Sequence, residues 1–254
     1  MLRHLPYCFT LWLLAGLSVS ASAATLQVAP VLLTLKPGEQ AAALYLSNTG
    51  REPIQAQVRV ASWTQVNGKD TLTPTTDVAS SPAMTRIAPG NRQLVRVVIL
   101  NPHTDNRQHS YRLLIDELPD LQASHAEENA VHFLLRYSIP VFIAGEEGAN
   151  REPLTCAWDA RRRVLSFANP GQQYARLSDI AILSASGTQI ADIRGLAGYV
   201  LAGSRVDIPV KYRGNTPPAT LNLHLNSHND DCVLSSGISV SATGMSSSAS
   251  LRRG

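Results

Sequence analysis

From Thr25 onward, apolar and polar residues alternate in short runs. Ala43-Leu44-Tyr45-Leu46, Val58-Arg59-Val60, Leu94-Val95-Arg96-Val97-Val98, Leu221-Asn222-Leu223-His224-Leu225 and Ile238-Ser239-Val240 all repeat with a period of two. That period predicts strands with one buried face. Helical periodicity is absent. Turn-forming groups punctuate the runs at Lys36-Pro37-Gly38, Asn48-Thr49-Gly50, Asn67-Gly68, Pro89-Gly90, Asn169-Pro170-Gly171 and Ser186-Gly187. The pattern is all-β and of the sandwich type. A polar stretch from Gly145 to Pro153 carries two glycines and ends in proline. It divides the chain into segments of about 120 and 100 residues, each the size of one sandwich. The predicted organisation is a leader over 1–23, a first domain over 24–144, a linker over 145–153, a second domain over 154–243 and a Ser-rich tail over 244–254. The acidic, polar stretch from Pro119 to Asn129 is read as a mobile loop.

The first residues change the setting of this fold. Arg3 precedes an apolar run from Leu5 to Val19, followed by Ala21-Ser22-Ala23. A charged start, a short greasy core and small residues at the end make a signal peptide, with cleavage expected before Ala24. No later run reaches the roughly 18 apolar residues of a spanning helix, so the mature chain is expected to be exported without inserting into the membrane. The net charge of the 254-residue chain is only +3, and its basic residues are scattered except for Arg161-Arg162-Arg163. Neither a nucleic-acid footprint nor a membrane-surface footprint follows from that distribution. Cys8 leaves with the leader, so Cys156 and Cys232 remain as a pair in an oxidising compartment. A disulfide is the reading that compartment favours, and two free thiols or metal ligands are the alternative.

One strand stands apart, Val131 to Ile143. Val131, Phe133, Leu135, Tyr137, Ile139 and Val141 share one face at period two, while Leu134 and Phe142 fall on the other. Both faces are partly apolar. A doubly buried central strand would explain this, and so would an edge strand that takes a partner. Pro140 favours the edge, because proline lacks a ladder donor. Burying four or five such side chains is worth about 1.5 to 3 kcal/mol each, so a free edge of this kind would be sticky unless a further copy of the chain capped it.

With this strand in view, an ordered series of motifs resembles the periplasmic pilus chaperones of the chaperone-usher pathway over nearly all of the mature chain. The series begins with Ala29-Pro30-Val31, Leu35-Lys36-Pro37-Gly38, Leu46-Ser47-Asn48, Gln57-Val58-Arg59-Val60 and Ser62-Trp63-Thr64-Gln65. It continues with Asn67-Gly68, Ser80-Ser81-Pro82, Ile87-Ala88-Pro89-Gly90, Tyr111-Arg112-Leu113-Leu114-Ile115-Asp116-Glu117-Leu118-Pro119, Tyr137-Ser138-Ile139-Pro140-Val141-Phe142 and Gly198-Tyr199-Val200-Leu201. The details are most similar to the branch serving archaic, spore-coat-like pili. The resemblance implies two immunoglobulin-like domains in an L, periplasmic residence, and partners that are pilus subunits and an outer-membrane usher. It also implies that a strand of the first domain completes a subunit lacking its last strand. Val131, Phe133, Leu135, Tyr137 and Ile139 are then the donor-strand residues.

The chain departs from the family pattern where a subunit's terminal carboxylate is held. The best-known members use an Arg in the first strand and a Lys in the donor strand; here those places read Val31-Leu32-Leu33 and Pro140. Arg96, Arg112 and Arg136 are the candidate replacements, since guanidinium binds carboxylate bidentately. Each is equally readable as a strand residue pairing with Asp116 or Glu117. The acidic residue of the family's domain-bridging ion network corresponds to Glu117, but its arginine partner would fall near Ala144, which carries no charge.

No nucleophile elbow, zinc-protease helix, phosphate loop or dinucleotide fingerprint is present, so the sequence supports neither an enzyme nor a cofactor. His224 and His228, followed by Asp230, Asp231 and Cys232, have the chemistry of metal ligands. Four residues apart on a strand they lie over 13 Å from each other, and a polar turn is the expected reading. Two other functions fit the pattern less well than the chaperone: a structural pilus subunit or adhesin, which would normally be one domain lacking its last strand, and another exported immunoglobulin-like binding module, which would need an aromatic platform. The leader is directly testable. Mass spectrometry of the protein recovered from periplasm should give a chain beginning at Ala24, and a chain retaining Met1 would overturn the export reading.

Overall fold

The computed structural model describes residues 25–119, 134–145, 154–212, 214–226 and 228–236, and every regular element among them is a strand. Four strands form the first sheet: β1 (Leu26–Ala29), β3 (Ala41–Asn48), β8 (Arg92–Ile99) and β6 (Val78–Ser81), in that spatial order. Facing it lie β2 (Leu33–Leu35), β10 (Arg136–Ile143), β9 (His109–Leu118), β4 (Ile54–Val66) and β5 (Lys69–Pro74), with β7 (Met84–Ile87) also paired to β4. The alternation read from the sequence is the cause of this layering. Leu44 and Leu46 of β3 are fully buried while Ala43 and Tyr45 face solvent, and Val95 and Val97 of β8 are buried on either side of exposed Arg96. From the facing sheet, Leu113, Ile115 and Val141 close the same core.

The second pair of sheets repeats the plan. One contains β15 (Ser204–Pro209), β12 (Val164–Asn169), β11 (Thr155–Asp159) and β18 (Ser235–Ser236); the other contains β14 (Gln189–Val200), β13 (Ala175–Ser184), β16 (Pro218–Leu225) and β17 (His228–Val233). Leu165, Phe167, Leu177, Ile180, Val200 and Leu221 form its core. Cys156 of β11 and Cys232 of β17 are joined by a disulfide that ties the two sheets together. The segment expected to be a polar turn is instead a hairpin: His224 lies on β16 opposite Asn229 of β17, and its Nδ1 sits 3.4 Å from an Asp179 carboxylate oxygen. With its sulfur in the disulfide, Cys232 is unavailable as a thiolate ligand.

The same side-chain device locks a corner in each domain. Asn48 donates through Nδ2 to the carbonyls of Glu52 and Ile87 and accepts from the Gly50 amide through Oδ1. Asn169 does the equivalent with Gln173, Val200 and Gly171. Both asparagines are buried, and each satisfies backbone groups that a turn would otherwise orphan.

The two sandwiches meet through an aromatic cluster and a few backbone-directed hydrogen bonds. Trp63 and Phe142 of the first domain pack with Tyr174, Tyr199 and Leu201 of the second. Phe142 stacks on Tyr174 at 3.9 Å between ring centroids. Gln65 donates to the Tyr199 carbonyl (2.7 Å) and accepts from the Leu201 amide (3.0 Å). Gln108 accepts from the Tyr174 amide, and its own amide donates to the Gln172 carbonyl. The tip of the β4–β5 hairpin, Asn67-Gly68, has positive φ at both residues, the geometry an Asn-Gly turn is built for. There the Gly68 carbonyl accepts from the Asp207 amide of the second domain. A Cβ at Gly68 would meet the Asp207 side chain at 2.7 Å.

Several sequence readings lie outside the described residues: the leader, the loop after Pro119, Val131 and Phe133, the linker beyond Gly145, the run at Ile238–Val240 and the tail. The disulfide carries a stability prediction. It closes a separation of 76 residues, for which the chain-entropy model gives about 4 kcal/mol. Replacing both cysteines by serine should lower the urea midpoint of the second domain by a corresponding amount, and an unchanged midpoint would show that the closure contributes nothing.

Candidate functional site: the half-paired strand and the cleft beside it

All eight residues of β10 pair with β9, from Arg136 opposite Asp116 to Ile143 opposite His109. On its other side β10 pairs with β2 only through Val141, Phe142 and Ile143. Among the described residues, the edge from Arg136 to Pro140 therefore carries no second strand. Pro140 stands where this open half ends. An edge of that kind offers backbone donors and acceptors to an incoming strand.

The side chains of this segment differ from the sequence expectation. Ile139 is buried in the first domain's own core, and Leu135 and Tyr137 pack against that core. The Tyr137 hydroxyl donates to the Leu26 carbonyl at 2.6 Å. Period two placed these residues on one face correctly, but that face is the inner one. Tyr137 and Ile139 thus seat the strand in its own domain and are not free to enter a partner, which corrects their reading as donor side chains. On the outer face Leu134 is half exposed, Arg136 and Ser138 are exposed, and Pro140 and Phe142 are covered.

The outer face next to the open edge is held by charge. The carboxylate of Asp116 on β9 accepts from Arg59 of β4 at 2.5 Å and from Nε of Arg136 on β10. Burial pushes the Asp116 pKa up, but the hydrogen bonds and positive charges of Arg59 and Arg136 outweigh it and hold the carboxyl below its ordinary value. Arg136 is thereby committed to an internal carboxylate. Glu117 does not bridge the domains. Its carboxylate accepts from the Leu135 amide, and its own amide donates to the Leu135 carbonyl, so it fixes the start of the open edge.

The open edge leads into a cleft of about 580 Å³ between the first domain's outer face and strands β13 and β14 of the second. Arg112, Ser138 and Pro140 line one wall; Arg176, Asp179, Leu196 and Tyr199 line the other. Arg112 lies between Ala61 of β4 and Pro140 of β10 in register. These flank it with little bulk, and its guanidinium lies over the Trp63 ring, 3.6 Å from the centroid. Its Nη1 donates to the Ser138 carbonyl at 3.4 Å. Burial pulls the Arg112 pKa down, with the charges of Asp70 and Tyr199 acting the other way. Among the described residues no carboxylate lies within ion-pair distance of it.

Of the three candidate arginines, the structure brings two toward this cleft. Arg96 lies on β8 of the opposite sheet, exposed between the core residues Val95 and Val97, and so points away from it. Sequence reasoning missed the role of Trp63, Gln65 and Tyr199. The sequence signals are the motifs Ser62-Trp63-Thr64-Gln65 and Gly198-Tyr199-Val200-Leu201 and the spacing that puts Trp63 and Gln65 on one face with Ala61 and Arg59. Nothing in the sequence placed Tyr199 against them.

Residues 25–147 match the family model for the pili and flagellar-assembly chaperones, PapD N-terminal domain. Among solved structures, the CsuC-CsuE chaperone-tip adhesion subunit pre-assembly complex from the archaic Csu pili of Acinetobacter baumannii aligns with TM-score 0.65 and 25% identity, covering 85% of this chain and 100% of that one. The SafB chaperone solved with the SafA pilin of Salmonella enterica shares the fold at TM-score 0.59 and 15% identity, covering 85% and 99%. The CupB2 chaperone of Pseudomonas aeruginosa does so at 0.56 and 17%, covering 82% and 100%. Compared with the curated proteins, the sequence has no match.

The Asp116 cluster generates a pH prediction. Because its folded pKa is lowered, its contribution to stability is complete above the ordinary value of 3.8 and is lost as pH falls through the folded value. Asp116→Asn should cost about 1–2 kcal/mol at neutral pH, the arginines being largely exposed. Urea unfolding of the two proteins should converge toward about pH 2. A gap that persists there would mean the loss is not electrostatic.

Proposed function

We propose that this chain, whose first domain belongs to the pili and flagellar-assembly chaperone family, works in the periplasm as a chaperone that binds unfinished pilus subunits by strand addition at β10 and delivers them to an outer-membrane usher. The observation that carries this reading is the unequal pairing of β10 among the described residues, eight on one side and three on the other. A subunit lacking its last strand exposes a groove, and the free edge of β10 supplies the missing backbone partners. Val131 and Phe133 are the side chains we assign to that groove, ahead of Leu135, Tyr137 and Ile139, which seat the strand against its own core. Arg112 is the guanidinium we assign to the subunit's terminal carboxylate. It sits where the open edge reaches the cleft, and among the described residues no carboxylate forms an ion pair with it. Similarity to chaperones solved together with a tip adhesion subunit and with a pilin supports the same partner class.

Strand addition requires no bond making and no cofactor. Main-chain hydrogen bonds supply affinity, and alternating side chains supply register. The experiment is co-purification of a cognate pilus subunit from periplasm. Val131→Asp with Phe133→Asp should reduce the recovered complex more than tenfold, since each side chain removed from a groove is worth about 1.5 to 3 kcal/mol. Circular dichroism should show the variant folded. An undiminished complex with a folded variant would exclude the donor-strand mechanism.

A further inference from the structure

We infer that Gln65 and Tyr199 are positioning residues for Arg112, so that capture of a carboxylate in the cleft depends on how the second domain is docked. This rests on the assignment of Arg112 above. The chain of contacts is continuous. Gln65 holds the backbone of Tyr199 and Leu201 through both ends of its amide, at 2.7 and 3.0 Å. The Tyr199 ring then meets Trp63 edge-on, at 5.6 Å and 82°. Phe142 packs against both rings, 5.9 Å from Trp63 and 5.7 Å from Tyr199. The Arg112 guanidinium lies on the Trp63 face at 3.6 Å and also stands 5.8 Å from the Tyr199 ring centroid.

The orientation of that plane matters because a guanidinium binds a carboxylate through two parallel N–H bonds, and a rotated fork loses one of them. Stacking on an indole fixes the plane. Trp63 belongs to the first domain, but part of its cage belongs to the second. Withdrawing Tyr199 loosens Trp63 and with it the fork. Coupling of this kind is reciprocal: if docking favours carboxylate binding, a bound carboxylate favours docking to the same degree.

The test uses the mature full-length protein and a labelled pentapeptide, Val-Thr-Val-Thr-Phe, as free acid and as C-terminal amide, followed by fluorescence anisotropy. Wild type should prefer the acid by about tenfold or more, the worth of a charge-assisted bond. Arg112→Met should abolish the preference. Gln65→Leu and Tyr199→Leu should reduce it to about threefold or less, and Tyr199→Phe, which keeps the ring, should retain it. Gln65→Leu, altered in the other domain, decides the matter if Tyr199→Leu does not fold. Wild-type selectivity in folded Gln65→Leu and Tyr199→Leu overturns the positioning role while leaving the Arg112 assignment standing. No acid preference in wild type, or a preference that survives Arg112→Met, removes the assignment and this inference with it.

Discussion

Among the described residues, strand β10 has a neighbour along its whole length on one side and along only its last three residues on the other. Three properties of the molecule follow from that inequality. Where both sides are paired, Val141 and Phe142 are fully buried and the strand is fixed. Where one side is open, the backbone polar groups remain available and the side chains must be held from beneath, which Tyr137 and Ile139 do from within the core. Pro140, unable to donate to a ladder, marks the change from one regime to the other.

The domain junction is held chiefly by aromatic packing and by hydrogen bonds to backbone groups. Trp63 and Phe142 pack there with Tyr174, Tyr199 and Leu201, and Gln65 and Gln108 add hydrogen bonds across the junction. Such bonds are little affected by ionic strength, whereas exposed ion pairs are screened by it. Charge is kept instead for the outer face of the first domain, where Arg59 and Arg136 converge on Asp116, and for the cleft, where Arg112 is held against an aromatic ring.

Much of this was legible in the sequence because half-buried strands leave a period-two trace. β3, β8 and β16 were read from alternation alone, and the compartment argument named the two cysteines that are bonded. Less legible was which face of β10 turns inward. Period two groups Leu135, Tyr137 and Ile139 together without saying what lies beneath them. The apolar surplus at Phe142 proved to have a partner within the same chain, the second domain's Tyr174 and Tyr199. Arg96 and Arg112 looked equivalent as cations in alternating strands, yet they project from opposite sheets. The twin corners at Asn48 and Asn169 were seen only as turns, because their function is to bond to residues tens of positions away.

Gln65 grips the second domain through main-chain atoms, the carbonyl of Tyr199 and the amide of Leu201. Gly68 does the same through the Asp207 amide. These contacts recognise the path of a backbone and are indifferent to what most side chains along it are. The second domain is therefore in part replaceable: a foreign sandwich with the same backbone course at the end of β14 and aromatics placed as Tyr174 and Tyr199 are would fit the same seat.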